Sequence, residues 1–191
     1  MFAVIFIPNF SLQAVLRHEP ELINRAVALT DPELAKLGII QMTPAARDAG
    51  VSQGMSASQA MARCADLAIK SRSPAQEQSA TDVLIQTAYA FSPFIESTAS
   101  GVCAMDLRGL RIAADESAIQ EWAGEITKVL AQFHLNSRIG LAATPDLALL
   151  AARKSSLRNG LLSSEGGEGE DFAAGEFGYI VDECSDADDA G

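Results

Sequence analysis

Apolar residues recur along this chain in two rhythms, continuous short runs and helical spacing, and together they predict a sequence of alternating strands and helices. Residues 2–7 (FAVIFI) form an unbroken apolar run, as a strand buried on both faces requires. Pro8-Asn9 ends it, and residues 11–18 predict a short helix. Residues 25–30 (RAVALT) and 38–42 predict strands. Thr43-Pro44 then reads as a helix start, with Thr43 as the cap and Pro44 at the first helical position, and Gly50 stops that helix. A second short helix spans about 56–63 behind the cap Ser56, and 67–70 predicts another strand.

Beyond residue 76 the pattern lengthens. Val83, Leu84, Thr87 and Ala88 recur at helical spacing up to Phe91. Strands follow at about 93–98 and 102–107, split by an Ala99-Ser100-Gly101 turn. Residues 115–133 predict an amphipathic helix holding Trp122, Ile126 and Leu130. Arg138–Ala142 is a strand, and Thr144-Pro145-Asp146 opens a last helix. With the middle left out, the order is β–α–β–β–α–β–α. That is an α+β, ferredoxin-like arrangement: an antiparallel or mixed sheet with helices on one face. Residues 1–10 and 76–160 make this unit, 11–75 a small inserted subdomain, and 161–191 an acidic, flexible tail.

Charge changes the picture of that tail. The chain has 191 residues and a net charge of −11, from 25 acids and 14 bases. Ten of the acids lie in 163–191, which has no Lys or Arg, so residues 1–162 hold 15 acids against 14 bases. The body is near neutral and the tail repels phosphate. No stretch reaches the roughly 18–20 apolar residues that span a bilayer, and MFAVIFIPNF lacks the basic start of a signal peptide. Cys64, Cys103 and Cys184 fit neither a zinc spacing nor a disulfide framework. A reducing, cytoplasmic setting is expected.

Several motifs then carry a resemblance. Ala46-Arg47-Asp48-Ala49-Gly50-Val51-Ser52-Gln53-Gly54-Met55 has the form A-R-x-x-G-V-x-x-G-M. Ser92-Pro93, Glu96 and Asp106 frame a hairpin, and Arg138-Ile139-Gly140-Leu141-Ala142 precedes the last helix. In order and spacing this resembles the palm and fingers of the Y-family (DinB/UmuC-type) translesion DNA polymerases, over about residues 2–160. Phosphoryl transfer in such enzymes needs two metal ions about 4 Å apart, held by carboxylates. By the resemblance, the first-strand pattern D-x-D falls on Phe6 and Pro8, and the hairpin's Asp-Glu pair on Gly101-Val102. The aromatic that screens out ribonucleotides falls on Ser11. The fingers Tyr becomes Pro44, its Arg remains as Arg47, and the Lys of the final helix becomes Leu149.

Metal, sugar and triphosphate positions have thus become apolar or inert, while the packing cadence survives. This resembles the non-catalytic ImuB subgroup. The resemblance implies an adaptor in damage-induced mutagenesis that joins an ImuA-type partner, an error-prone replicative-type polymerase and the sliding clamp. Those contacts belong to a thumb, a little finger and a tail beyond this chain, which reads as an N-terminal region. No catalytic residue, metal or cofactor is expected. Arg47 suits nucleotide phosphate, or a solvated surface role. Arg153 and Lys154 suit weak contact with DNA backbone, or simply complement the C-terminal end of a helix. The competing reading is a nucleotidyltransferase with a relocated metal site, for which Glu96 and Asp106 are the nearest acids. His18 and His134 have no partner at ligand spacing.

Overall fold

β1 (Phe2–Phe6) forms the centre of the larger of two sheets in the computed structural model, which describes residues 1–34, 38–109, 116–162 and 176–179. Its neighbours are β6 (Val102–Asp106) and β7 (Arg138–Ala142), both antiparallel to it. β5 (Ile95–Ala99) pairs with β6 as the hairpin partner, and β8 (Glu176–Tyr179) runs parallel to β7, giving the order β5-β6-β1-β7-β8. The smaller sheet has the order β3-β2-β4, from β2 (Val27–Thr30), β3 (Ile39–Met42) and β4 (Ala68–Ser71). The α+β palm-and-fingers layout that the resemblance implies is the one observed, and the helix over Pro145–Leu162 adds a layer on the sheet face opposite the one covered by the helices over Pro74–Phe91 and Glu116–Gln132.

β1 is apolar throughout because both of its faces are covered. Ala3, Ile5 and Ile7 enter the main core with Cys103, Met105, Ile139 and Leu141, beneath α4 (Pro74–Phe91) and α5 (Glu116–Gln132). Leu84 and Ala88 of α4, and Trp122, Ile126 and Leu130 of α5, are the core-facing residues, with Trp122 edge-on to Phe91 at 6.2 Å. Val4 and Phe6 face the other side, where α6 (Pro145–Leu162) lies on β7 and β1. Gly140 makes that approach possible. A Cβ there would fall 2.1 Å from the Ala148 carbonyl oxygen and 2.4 Å from the Ala152 nitrogen.

α1 (Phe10–Leu16) divides its side chains between the two halves. Phe10 and Ala14 enter the main core, whereas Leu12, Val15 and Leu16 pack with Val27 and Leu29 of the small sheet. Its start lacks a side-chain cap, and the Leu12 N–H donates instead to Gln41 Oε1 on β3, at 2.8 Å. α2 (Pro44–Asp48) and α3 (Ala57–Arg63) start as the sequence indicates. Thr43 Oγ1 accepts from Ala46 N, and Ser56 forms a reciprocal capping box with Gln59.

Within residues 161–191, where an acidic, flexible tail is expected, Glu176–Tyr179 forms β8 parallel to β7. Phe177 and Tyr179 are strand-favouring aromatics in an acid-rich stretch, spaced two apart as a strand requires. The tail's other acids and Cys184 lie outside the described residues. Among the described residues no helix is long and apolar enough to cross a membrane.

The candidate active-site face

Antiparallel pairing sets the face. Phe6 stands opposite Val102 on β6 and opposite Arg138 on β7, so the three side chains share one side of the sheet. That side is also where α6 lies. Val4, Val102, Ala104, Ala142 and Ala148 form a buried cluster there, and Phe6, Leu147 and Leu149 pack against it. The structure therefore brings Phe6, Val102 and Leu149 into a single apolar cluster, although they come from β1, the hairpin and α6. Val102 is only 3% exposed.

Gly101 is fixed by two constraints. Its φ of +71° lies in the left-handed region that favours glycine, and its carbonyl oxygen accepts from Ile7 N at 2.8 Å. A Cβ at this position would meet Phe10 side-chain atoms at 2.8 Å. An aspartate cannot be placed here without moving the Phe10 ring.

The hairpin's remaining acids are engaged elsewhere or exposed. Asp106 accepts from Arg108 N at 2.9 Å and from Arg108 Nε at 2.7 Å, and these bonds hold its carboxyl below the usual range. The main-chain oxygen of Asp106 also receives the Ser92 hydroxyl, at 3.0 Å, which ties the Ser-Pro turn to the strand end. Glu96 sits opposite Ala104 on the edge strand and is exposed. Among the described residues no three His, Cys, Asp or Glu side chains converge where they could hold a metal ion. The residues at the family's metal positions offer no side-chain oxygen, so they do not fit the metals that the resemblance implies.

A second group surrounds a cleft of about 290 Å³ between α1, α2 and the start of β7. Pro8, Pro44 and Arg47 meet there, joined by Ser137 and Arg138. Arg47 reaches it from α2, whose start Thr43 fixes to β2 by accepting from Val27 N at 3.0 Å and donating to Arg25 O at 2.8 Å. Gln13 on α1 fastens the opposite wall. Its Nε2 donates to Pro8 O at 2.7 Å and its Oε1 accepts from Asn136 N at 2.7 Å. Ser137 is 5% exposed, and its hydroxyl is buried with no hydrogen-bond partner.

Arg153 and Lys154 are both exposed on α6, but only Arg153 is drawn to the face: its guanidinium carbon lies 5.5 Å from the centre of the Phe6 ring. Arg108 takes the matching position over Phe2, at 5.8 Å. Sequence reasoning named Arg47 and Arg153 but missed Arg138 and Ser137. For Arg138 the available signal was its place at the start of the strand expected over 138–142. For Ser137 there was none, because its burial comes from packing.

Ser11, which the resemblance puts at the sugar-screening position, helps to hold the Glu77 carboxyl on α4 below its ordinary range. Glu77 in turn pairs with Arg72, which also binds Asp31 at 3.0 Å. The three groups link the end of β2, the end of β4 and the start of α4. Burial pushes the Cys103 thiol up to about 11, so it remains a protonated core side chain.

A comparison with curated proteins found no match. Among solved structures, the post-insertion binary complex of Dbh DNA polymerase superposes with a TM-score of 0.74 at 16% identity, covering 95% of this chain and 49% of that one. DinB from Sulfolobus solfataricus gives 0.69 at 15%, covering 94% and 48%. A Y-family DNA polymerase chimera, Dbh-Dpo4(243-245)-Dbh, gives 0.68 at 14%, covering 94% and 48%. The chain spans about half the length of these proteins. The fold is thus that of the Y-family polymerase palm and fingers. The model of the IMS (impB/mucB/samB) family matches residues 5–153, and the chain belongs to that family.

Proposed function

We propose that the chain is a non-catalytic Y-family polymerase homologue that serves as an adaptor in DNA-damage-induced translesion synthesis and mutagenesis, in the manner of ImuB. One observation carries this reading: Phe6, Val102 and Leu149 pack together around a small core. Chemical groups at those positions would have to face solvent and ligands. Here they stabilise the contact between sheet and helix instead. The partners follow from the reading: an ImuA-type protein, an error-prone replicative-type polymerase and the sliding clamp, engaged through regions beyond this chain in the cytoplasm. A relocated metal site has less support, because Asp106 is paired with Arg108 and Glu96 stands on an exposed edge.

The test is primer extension with purified protein, primer–template, dNTPs and Mg²⁺, paired with Phe6→Asp and Val102→Glu variants. No extension is expected from any of them. Each variant is expected to lose about 3 kcal/mol of stability, because a carboxylate enters an apolar cluster in place of packed carbon. Extension by the unaltered chain would sink the reading.

A further inference from the structure

We infer that β5, the open edge of the larger sheet, is a docking surface for a cationic, extended segment of a partner protein, which adds a strand beside Ile95–Ser97 and sets an Arg or Lys against Glu96. The inference goes beyond the non-catalytic reading and does not depend on it. The edge is available whether or not the chain extends a primer.

The main chain of this edge is unpaired on its outer side. β5 stands first in the strand order, with β6 as its one neighbour among the described residues. Asp106 N donates to Phe94 O at 2.9 Å, and bonded and non-bonded pairs alternate from there in an antiparallel ladder. Ile95, opposite Met105, and Ser97, opposite Cys103, therefore turn their N–H and C=O groups away from β6. The register shifts only between Ser97 and Ala99, which leaves 94–97 regular. Beside this ladder lies a groove of about 350 Å³, lined by Phe2, Phe94, Glu96, Ala104, Asp106 and Pro145. Asp106 is paired with Arg108, whereas Glu96 makes no ion pair among the described residues. Tyr89 and Phe94, at 59% and 64%, are the most exposed large apolar side chains described, and they lie where α4 runs into β5.

Charge selects the occupant. Residues 73–127, which build α4, β5, β6 and most of α5, hold eight acids against two bases, whereas the rest of residues 1–162 hold seven against twelve. The near-neutral body is thus divided, and the open edge belongs to its acidic part, which repels DNA. A second copy would bring its own Glu96 and another net charge of −11. The chain's 163–191 stretch has ten acids and no base, so it is repelled as well. A foreign strand bearing Arg or Lys meets the opposite conditions. Main-chain hydrogen bonds supply the pairing, Glu96 supplies the countercharge, and the exposed rings offer a face to a guanidinium.

The test selects peptides of about ten residues from a random displayed library on the 191-residue chain, then measures anisotropy of the labelled peptides so obtained. Enriched sequences are expected to alternate apolar and basic residues without a central Pro, and to slow hydrogen exchange at the Ile95 and Ser97 amides. Glu96→Lys should weaken binding about tenfold, and added salt should weaken it too. Phe94→Ala should lose a few-fold. Ser97→Pro should abolish binding, since it deletes an outward N–H at an edge where proline is tolerated. Met61→Ala, an exposed change on α3, should leave binding as it is. Thermal melts separate lost binding from lost fold, and if Ser97→Pro unfolds, the amide protection and Glu96→Lys decide. No enrichment, enrichment without a preference for basic residues, or full binding by a folded Ser97→Pro variant would each overturn the proposal. So would a dimer in sedimentation equilibrium that Ser97→Pro dissolves, because it would give the edge to a second copy. Primer extension by the chain would sink the non-catalytic reading and leave this surface standing.

Discussion

Arg72 grips Glu77 with two hydrogen bonds, Nε to Oε1 at 2.7 Å and Nη2 to Oε2 at 2.9 Å. With Asp31 on the same guanidinium and Ser11 on the same carboxylate, the pair fastens the smaller sheet to the helices of the larger one. Arg72, and then the Ser11 hydroxyl, hold the Glu77 carboxyl below its ordinary 4.5, and burial opposes them only in part. A folded-state value below the unfolded one means that the unfolded chain binds the proton first. Stability from this pair is therefore present above about pH 4.5 and is lost as pH falls through the lower, folded value. In urea titrations, Glu77→Gln should cost about 1 kcal/mol at pH 7 and should lose less than the unaltered chain between pH 5 and pH 3. Parallel acid profiles for the two proteins would contradict this.

Gly140→Ala should be among the most damaging single changes. The added methyl meets main-chain atoms of α6, which cannot rotate away as a side chain can. A loss of about 3 kcal/mol is expected, with α6 lifted from the sheet and Arg153 carried off the Phe6 ring. Thermal melting reads the first effect. The second would appear as a changed NMR environment of the Phe6 ring in an Ala variant that still folds.

His134 ends α5 in the left-handed region, at φ 57°, while Leu135 N bonds back to Leu130 O at 3.1 Å and His134 N to Ala131 O at 2.9 Å. This is a Schellman closure with histidine where glycine is favoured. His134→Gly should raise stability by roughly 0.5–1 kcal/mol, seen as a higher urea midpoint at unchanged slope. A lower midpoint would mean that the imidazole makes a stabilising contact.

The alternation of short apolar runs with helical spacing made most elements legible in the sequence. Trp122, Ile126 and Leu130 fell on one stripe, and they do face the core. α1 was readable as a helix but not as a shared one, because its two apolar faces serve different sheets. β8 was missed because four residues in acidic surroundings give too little pattern, and its pairing depends on the open edge of β7. The inert character of Phe6, Val102 and Leu149 was visible one residue at a time. Their meeting was not, since it depends on Gly140 letting α6 down onto the sheet. The Asp31–Arg72 contact spans 41 positions and left no local signal.

Gly101 sets an order on any evolutionary gain of an acid at the hairpin. An acid at that position requires the Phe10 ring to vacate first, and Phe10 is 4% exposed within the main core. Each intermediate sequence would carry a core defect before it gained a metal ligand. Such a sequence can drift among apolar residues more readily than it can acquire an acid, so the hairpin behaves as a ratchet: the absence of a carboxylate at Gly101 is held in place by a packed neighbour.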